Sequence, residues 1–504
     1  MNKQGSPQKS KLRDAASQKI LAKAQREGVK TVWDRFGKMG KQCRFGLEGV
    51  CCRMCHMGPC RVIAGKNDQG VCGADADTIV ARNWVREICG GASAHSDHAR
   101  QLLRVLRDVL SEENSSDYQI KDRELLAEAA DFYGVREGDL PEILFKEFGD
   151  SERPLATLAK APQKTRESWS ELGLTPWGID ASIVEMLHRT TMGVDQDFEH
   201  IIKGGFKAAL ADGWGGSMIA TLVSDILFGS PAPLRSSVNL GVLRKDHVNI
   251  VVHGHEPAVS EILASVSREK ELIDYARSKG AAGIQLAGIC CTANEILMRH
   301  GIPIAGNFLQ QELALATGAV EMMLTDIQCI MASLDELAGC YHTRVLTTSH
   351  LAKSRNIEHL PFSQDSPRED ARNLIRRACD NFPNRREGRV EIPEEKMDLV
   401  AGFSNKTVFH MLGGRFRSSY RPLSDAIIQG RIRGVCGVVG CSNPKVETTD
   451  DRTVRLVRRL ISENVLVLQT GCAAIACAKE GLLTPETAFE LAGPGLREVC
   501  EAVG

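Results

Sequence analysis

Aromatic residues are scarce, at 5% of 504 residues, and neither sign of charge prevails. Sixty-three Lys and Arg stand against 64 Asp and Glu, for a formal net charge of −1. A chain so balanced has no electrostatic footprint for nucleic acid or for an anionic membrane surface. Apolar runs of about 18 residues are absent, so no membrane span is expected. The opening stretch, MNKQGSPQKSKLRDAASQKILAKAQREG, is polar and charged and lacks the apolar core of a secretory signal. Internal repeats and low-complexity tracts are missing too. A cytoplasmic protein of roughly three domains is expected.

Cysteine, by contrast, is plentiful. An odd total of 17 without a secretory signal argues for reduced thiols and metal ligands rather than a disulfide framework. Six fall between Gln42 and Gly73, in the stretch QCRFGLEGVCCRMCHMGPCRVIAGKNDQGVCG, with the spacing C-x7-C-C-x2-C-x4-C-x11-C. Four thiolates hold one [4Fe–4S] cube, and runs opening C-x2-C are typical of its ligand loops. Cys52, Cys55, Cys60 and Cys72 make one complete set, with Gly58 and Pro59 wrapping the backbone before Cys60. Cys43 and Cys51 are left over as half a site, best completed by a second copy of the chain across a two-fold axis. A four-cysteine zinc site is the competing reading, but it usually shows two C-x2-C pairs and only one is present.

Along the chain, residues 1–40 read as a helical arm leading to the cysteine loop. After Cys72, two helices are expected, the first capped by Asp77 or Thr78 and the second by Ser96. Leu102, Leu103, Val105, Leu106, Val109 and Leu110 recur at helical spacing. Residues 117–230 continue as helical segments broken by Pro and Gly, so 1–235 is expected to be a mainly helical domain. From HVNIVVHGH onward the texture becomes strand–helix–strand with short connections, the pattern of an open parallel sheet covered on both faces. That block spans 236–398 and ends in a linker, 361–395, rich in Pro, Asp and Arg. A second alternating block follows over 399–504. The expected class is α + α/β, a helical domain followed by two Rossmann-like parallel-sheet domains.

Soft ligands recur at the ends of the expected strands. His255 follows HVNIVV, Cys290 and Cys291 follow GIQLAG, Cys329 follows MMLTDI, Cys441 follows GVCGVVG, and Cys472 follows VLVLQTG. Ligands in open α/β sheets bind outside the carboxyl ends of the strands. One such Cys is ordinary core filling, but five strands ending in a thiol or imidazole point to a second, larger metal centre. Imidazole with thiolate suits Fe, Ni, Cu and Zn, and position alone does not choose among them.

The stretches CCRMCHMGPCR, CGADADTIVARN, AHSDHAR, VVHGHEP, LAGICCTANEILMRHGIPIAGNFLQQELALATGAV, DIQCIM, GVVGCSNPK and QTGCAAIACAKEGLL together resemble the anaerobic nickel–iron carbon monoxide dehydrogenase catalytic subunit, of the hybrid-cluster protein superfamily. The resemblance implies a helical domain plus two Rossmann-like domains, a homodimer, and reversible oxidation of CO with water to CO2, two protons and two electrons. It implies that Cys52, Cys55, Cys60 and Cys72 hold a [4Fe–4S] relay cluster in each subunit. Cys43 and Cys51 would share a [4Fe–4S] or [2Fe–2S] cluster with the partner's pair, and His255, Cys291, Cys329, Cys441 and Cys472 would hold a Ni–Fe–S catalytic cluster. The choice of Cys291 over Cys290, and of His255 over His253, rests on the resemblance. His95 and His98, three apart near a helix start, would relay protons; the plain alternative is two packed or surface histidines. The family carries a sixth ligand Cys and a catalytic Lys in segments beyond REVCEAVG, so the last domain is expected to be cut short. A non-catalytic electron-transfer relative is therefore one alternative reading. A hybrid-cluster or hydroxylamine reductase-like enzyme is another, opposed by the Cys43 and Cys51 pair. A ferredoxin-like acceptor is the expected electron partner, with a hydrogenase or acetyl-CoA synthase as further candidates.

Overall fold

The computed structural model describes residues 14–111, 117–149, 153–362, 366–412, 419–444 and 449–503. The chain forms two compact units, Met39–Gly229 and Ser230–Gly504 together with Met1–Lys38.

The first unit is built on one 35-residue helix, Ala76–Leu110, where two helices were expected. Its cap is Asp75, whose carboxylate accepts from the Thr78 amide at 2.8 Å, and not Asp77 or Thr78. Gly90 and Gly91 lower helix propensity at the midpoint. The buried stripe Val85, Cys89, Ala92, Ser96 and Ala99 nonetheless runs through them without a break, and its packing carries the helix on. Ser96 is no cap; its hydroxyl donates to Asp180. Helices Ile179–Arg189, Phe198–Ala211 and Ser217–Phe228 pack along this central helix. Before it, Cys51–Cys52 pairs antiparallel with Cys60–Arg61, closing the cysteine-rich loop.

The second unit is layered α/β. Its main sheet runs, edge to edge, Met397–Ala401, Leu234–Val238, Ile304–Gly306, Gly283–Ile289, His247–His253, Val320–Thr325, Arg344–Thr347 and Glu358–His359. All pairings are parallel except the first. The central strands are near-continuously apolar because both faces are covered. Gly434–Val438 and Val465–Gln469 form a separate parallel pair. The helix Ala15–Arg26 also belongs to this unit. It buries Ala16, Ile20, Leu21 and Ala24 in a cluster with Leu313 and Leu315, and Lys23 donates to the Ala316 carbonyl at 2.8 Å. Within the expected linker lies a 15-residue helix, Pro367–Asn381. Its Ala371, Leu374, Ile375 and Ala378 are buried, while Arg368 and Arg372 bond Glu269. High charge made it read as a linker; the apolar i, i+3, i+4, i+7 stripe was the better signal.

Candidate functional site

In the helical unit, backbone alternation sorts the adjacent cysteines. Successive residues of a strand face opposite sides, so Cys51 and Cys52 cannot serve one site. Cys52, directly across the ladder from Cys60, lines a chamber with Cys55, Cys60, Cys72 and the guanidinium of Arg82. Cys43 and Cys51 are not among its lining residues. Cys43 is exposed before the short helix Arg44–Glu48, and the loop reaching Cys51 is held by Asn83, which donates to the carbonyls of Gly49 and Cys51 at 2.8 and 3.1 Å. The Cys72 thiol is held below its ordinary range, chiefly by the Ala74 amide, with further help from Arg82.

His95 lies on the central helix opposite a single π turn, Asp212–Gly216. Such turns are frequent at functional sites. Here Asp212 Oδ1 lies 2.8 Å from His95 Nδ1 and also accepts from the Ser217 hydroxyl at 3.0 Å. A Cβ on Gly216 would sit 3.2 Å from the Ser96 amide, so the approach of the two helices depends on that glycine. His98, one turn on, is partly buried.

In the α/β unit, the strand ends bring together every donor expected there, and Cys290 as well. His255 contacts Cys291 and Cys329, Cys329 contacts Cys290 and Cys441, and Cys290 contacts Cys472. Burial works against a charge on His255, but the bonds and charges of Cys291 and Cys329 outweigh it and carry the imidazole up to about 11. Cys329 is held far down by bonds from Cys290 and Cys441, against burial, and by His255. Burial pushes the Cys290 thiol up, whereas a bond from Cys290 lowers Cys472. His253 plays another part. Burial drops it to about 4, and its Nε2 lies 3.1 Å from Gln311 Oε1 in the core.

The loops are held under tension. The described residues with positive φ that are neither Gly nor Asn are Cys290, Gln328 and Cys329, at 62°, 64° and 59°. Such conformations cost about 1–3 kcal/mol each and cluster at functional sites. Asp326, fully buried, clamps the neighbouring turn by accepting from the amides of His255 at 2.6 Å, Glu256 at 3.0 Å and Ile327. Burial raises its carboxyl to about 6 in spite of these bonds. Gly254 is obligatory here, since a Cβ would fall 1.6 Å from Asp326 Oδ1.

Behind Cys441 and Cys472 lies a buried ionic network that periodicity does not reveal. Lys479, on the helix Gly471–Lys479, sits 3.3 Å from Asp450 and 3.8 Å from Asp14. Asp450 accepts from Ser442 at 2.7 Å and from Asn307 at 3.1 Å, tying the loop after Cys441 to the helix that begins beside Cys472.

Among the described residues, no three His, Cys, Asp or Glu side chains converge to hold a single metal ion. The donor chemistry does fit a cluster, a multi-atom body that keeps its thiolates farther apart than one tetrahedral ion does. In the helical unit the four thiols line a chamber, and in the α/β unit the soft donors touch one another in a single group. In the helical unit, Nε and Nη1 of fully buried Arg82 have no hydrogen-bond partner among the described residues, which suits an anionic body inside the chamber.

A helical unit with a four-cysteine chamber and a parallel-sheet unit with thiol-tipped strands define a class, thiolate-rich α + α/β enzymes. More narrowly, residues 50–502 match the Prismane/CO dehydrogenase family, and the chain belongs to it. Carbon monoxide dehydrogenase 1 of Methanosarcina mazei is 49% identical over 502 residues, covering 97% of this chain and 79% of that one. Carbon monoxide dehydrogenase of Rhodospirillum rubrum is 42% identical, with the same coverage. Among solved structures, a nickel-free carbon monoxide dehydrogenase from Thermococcus sp. AM4 superposes with a TM-score of 0.94 at 44% identity, over 99% of this chain and 80% of that one.

Proposed function

We propose that the chain is the catalytic subunit of a nickel–iron–sulfur carbon monoxide dehydrogenase. It would oxidise CO with water to CO2, two protons and two electrons, reversibly. The observation that carries this reading is the meeting of His255, Cys291, Cys329, Cys441 and Cys472 at strand ends. In the proposal these residues hold the Ni–Fe–S group, which when bound supplies a Lewis-acidic site for CO and for an acidified water. Cys290, in contact with two of them, is available to the same group. Asp326 keeps the His255 turn rigid, and the Lys479–Asp450–Ser442 network keeps Cys441 and Cys472 in register.

Cys52, Cys55, Cys60 and Cys72 would hold a [4Fe–4S] relay. Cys43 and Cys51 would pair with the same residues of a second copy around a shared [4Fe–4S] or [2Fe–2S] group, making the protein a homodimer. His95 and His98 would carry protons. Asp212 Oδ1 and the Ser217 hydroxyl both lie against Nδ1 of His95 and orient the ring. The electron acceptor would be ferredoxin-like. An acetyl-CoA synthase is a candidate assembly partner, because one solved relative, 37% identical with a TM-score of 0.93, is an acetyl-CoA synthase/carbon monoxide dehydrogenase. No helix among the described residues is long and apolar enough to cross a membrane, and a cytoplasmic location is part of this proposal. So is a division of the chain at about 235 and 398. A separate last segment is supported by Gly434–Val438 and Val465–Gln469, which pair apart from the large sheet, although the strand Met397–Ala401 of that sheet runs across 398.

The test is anaerobic preparation with nickel, iron and sulfide, followed by CO-dependent reduction of a viologen dye. Nickel-dependent dye reduction is expected. Stoichiometric zinc without acid-labile sulfide would overturn the proposal.

A further inference from the structure

We propose that Arg82 sets the reduction potential of the group held by Cys52, Cys55, Cys60 and Cys72. The inference rests on the relay reading of that chamber. Arg82 is completely buried and lines the chamber beside the four thiols. Its Nη2 donates to two neutral acceptors, the Asp195 carbonyl at 3.3 Å and Gln196 Oε1 at 3.0 Å. The Asp195 carboxylate is engaged elsewhere, with Arg189 and His200. Nε and Nη1 are also buried and have no hydrogen-bond partner among the described residues.

A guanidinium does not lose its proton in a protein, so this charge persists after burial. A buried cation whose oxygen partners are neutral, and which lies beside the Cys72 thiol, is strongly disfavoured unless an anion completes the site. Four thiolates around an iron–sulfur body supply that anion. Reduction adds one electron to the body, with no bond made or broken and no proton required, so the group becomes more negative by one unit. In a chamber of low dielectric a fixed positive charge favours the reduced state, and charge and hydrogen bonds to sulfur are among the factors that set such potentials. Helix position makes the effect rigid. Arg82 follows the Asp75 cap by seven residues, and its neighbour Asn83 holds the Cys51 backbone. One turn of the helix therefore supports both cysteine sets.

The experiment is an anaerobic redox titration of the holoprotein followed by electron paramagnetic resonance, with iron and sulfide measured on the same samples. Wild type is compared with Arg82→Gln, Arg82→Met and Arg82→Lys. In the neutral variants that keep their iron, the midpoint should move to more negative potential. At a fixed potential the reduced-to-oxidised ratio should fall about tenfold, which is 59 mV for a one-electron couple. Arg82→Lys, which restores the charge, should recover most of the shift. An unchanged midpoint in an iron-replete neutral variant would overturn the inference. Loss of iron from all three variants would overturn it too, and would make Arg82 an assembly residue. Absence of iron and sulfide from the wild-type chamber would instead overturn the relay reading on which the inference stands.

Discussion

The two cysteine-rich regions reach similar donor sets by opposite routes. In the helical unit all four chamber cysteines lie between Cys52 and Cys72, on a hairpin and the turn after it. In the α/β unit the donors run from His255 to Cys472 and meet only because parallel strands deliver their ends to one side. A local set needs little beyond its own loop, and the φ > 0 positions within it are glycines, Gly65 and Gly73. The dispersed set needs a whole sheet, holds Cys290, Gln328 and Cys329 in disfavoured conformations, and is braced by a buried carboxylate and a buried lysine. Proximity in sequence gives assembly at low cost; proximity through a sheet gives rigidity, with the strain paid for by packing elsewhere.

The sharpest way to break this comparison is a crossed metal analysis. Cys55→Ser should lose the iron and sulfide of the four-cysteine chamber and leave the signals of the α/β centre in place. His255→Ala should do the reverse. If either variant lost both sets, the two centres would not be independent.

A second, smaller effect tests the bracing of the dispersed set. Burial works against a charge on Lys479, but Asp450 and Asp14 outweigh it and raise its pKa. Lys479→Met would leave Asp14 buried without its cation, and breaking a buried pair in this way costs about 3–5 kcal/mol. Denaturant unfolding of the metal-free protein should show that loss, and iodoacetamide should label Cys441 faster. A change under about 1 kcal/mol would show that the network is not what holds the loop.

The smallest effect concerns the local set. Asp75→Ala removes the cap of the helix that carries Arg82, Asn83 and His95, at a cost of about 1 kcal/mol. Iron in the chamber should be retained, because the loop supplies its own ligands. Iron loss with so mild a substitution would mean that the local set depends on distant packing as much as the dispersed one does.

Much of this was legible in the chain. Cysteine spacing isolated Cys52, Cys55, Cys60 and Cys72, because four ligands on one loop must appear as a motif. The strand–helix rhythm showed which end of each strand carries a thiol or imidazole, because period and polarity are local properties. Three features were read differently. The central helix was read as two, the second capped by Ser96, whereas the buried stripe runs through that position without a break. The helix Pro367–Asn381 was taken for linker because of its charges. Ala15–Arg26 was read as an arm leading to the cysteine loop, yet its apolar face is buried beside Leu313 and Leu315.

What the sequence determined by itself is therefore the inventory: two donor sets, one helical and one α/β region, and the order in which they occur. Tertiary structure decided the rest. It brought Cys290 into the strand-end group beside Cys291, turned His253 into the core and His255 toward the thiols, and placed Asp326, Lys479 and Arg82 behind the donors. The reason is physical. A ligand motif records only which atoms can bind, whereas the cost of burying charge and the strain of a turn depend on neighbours far away in the chain.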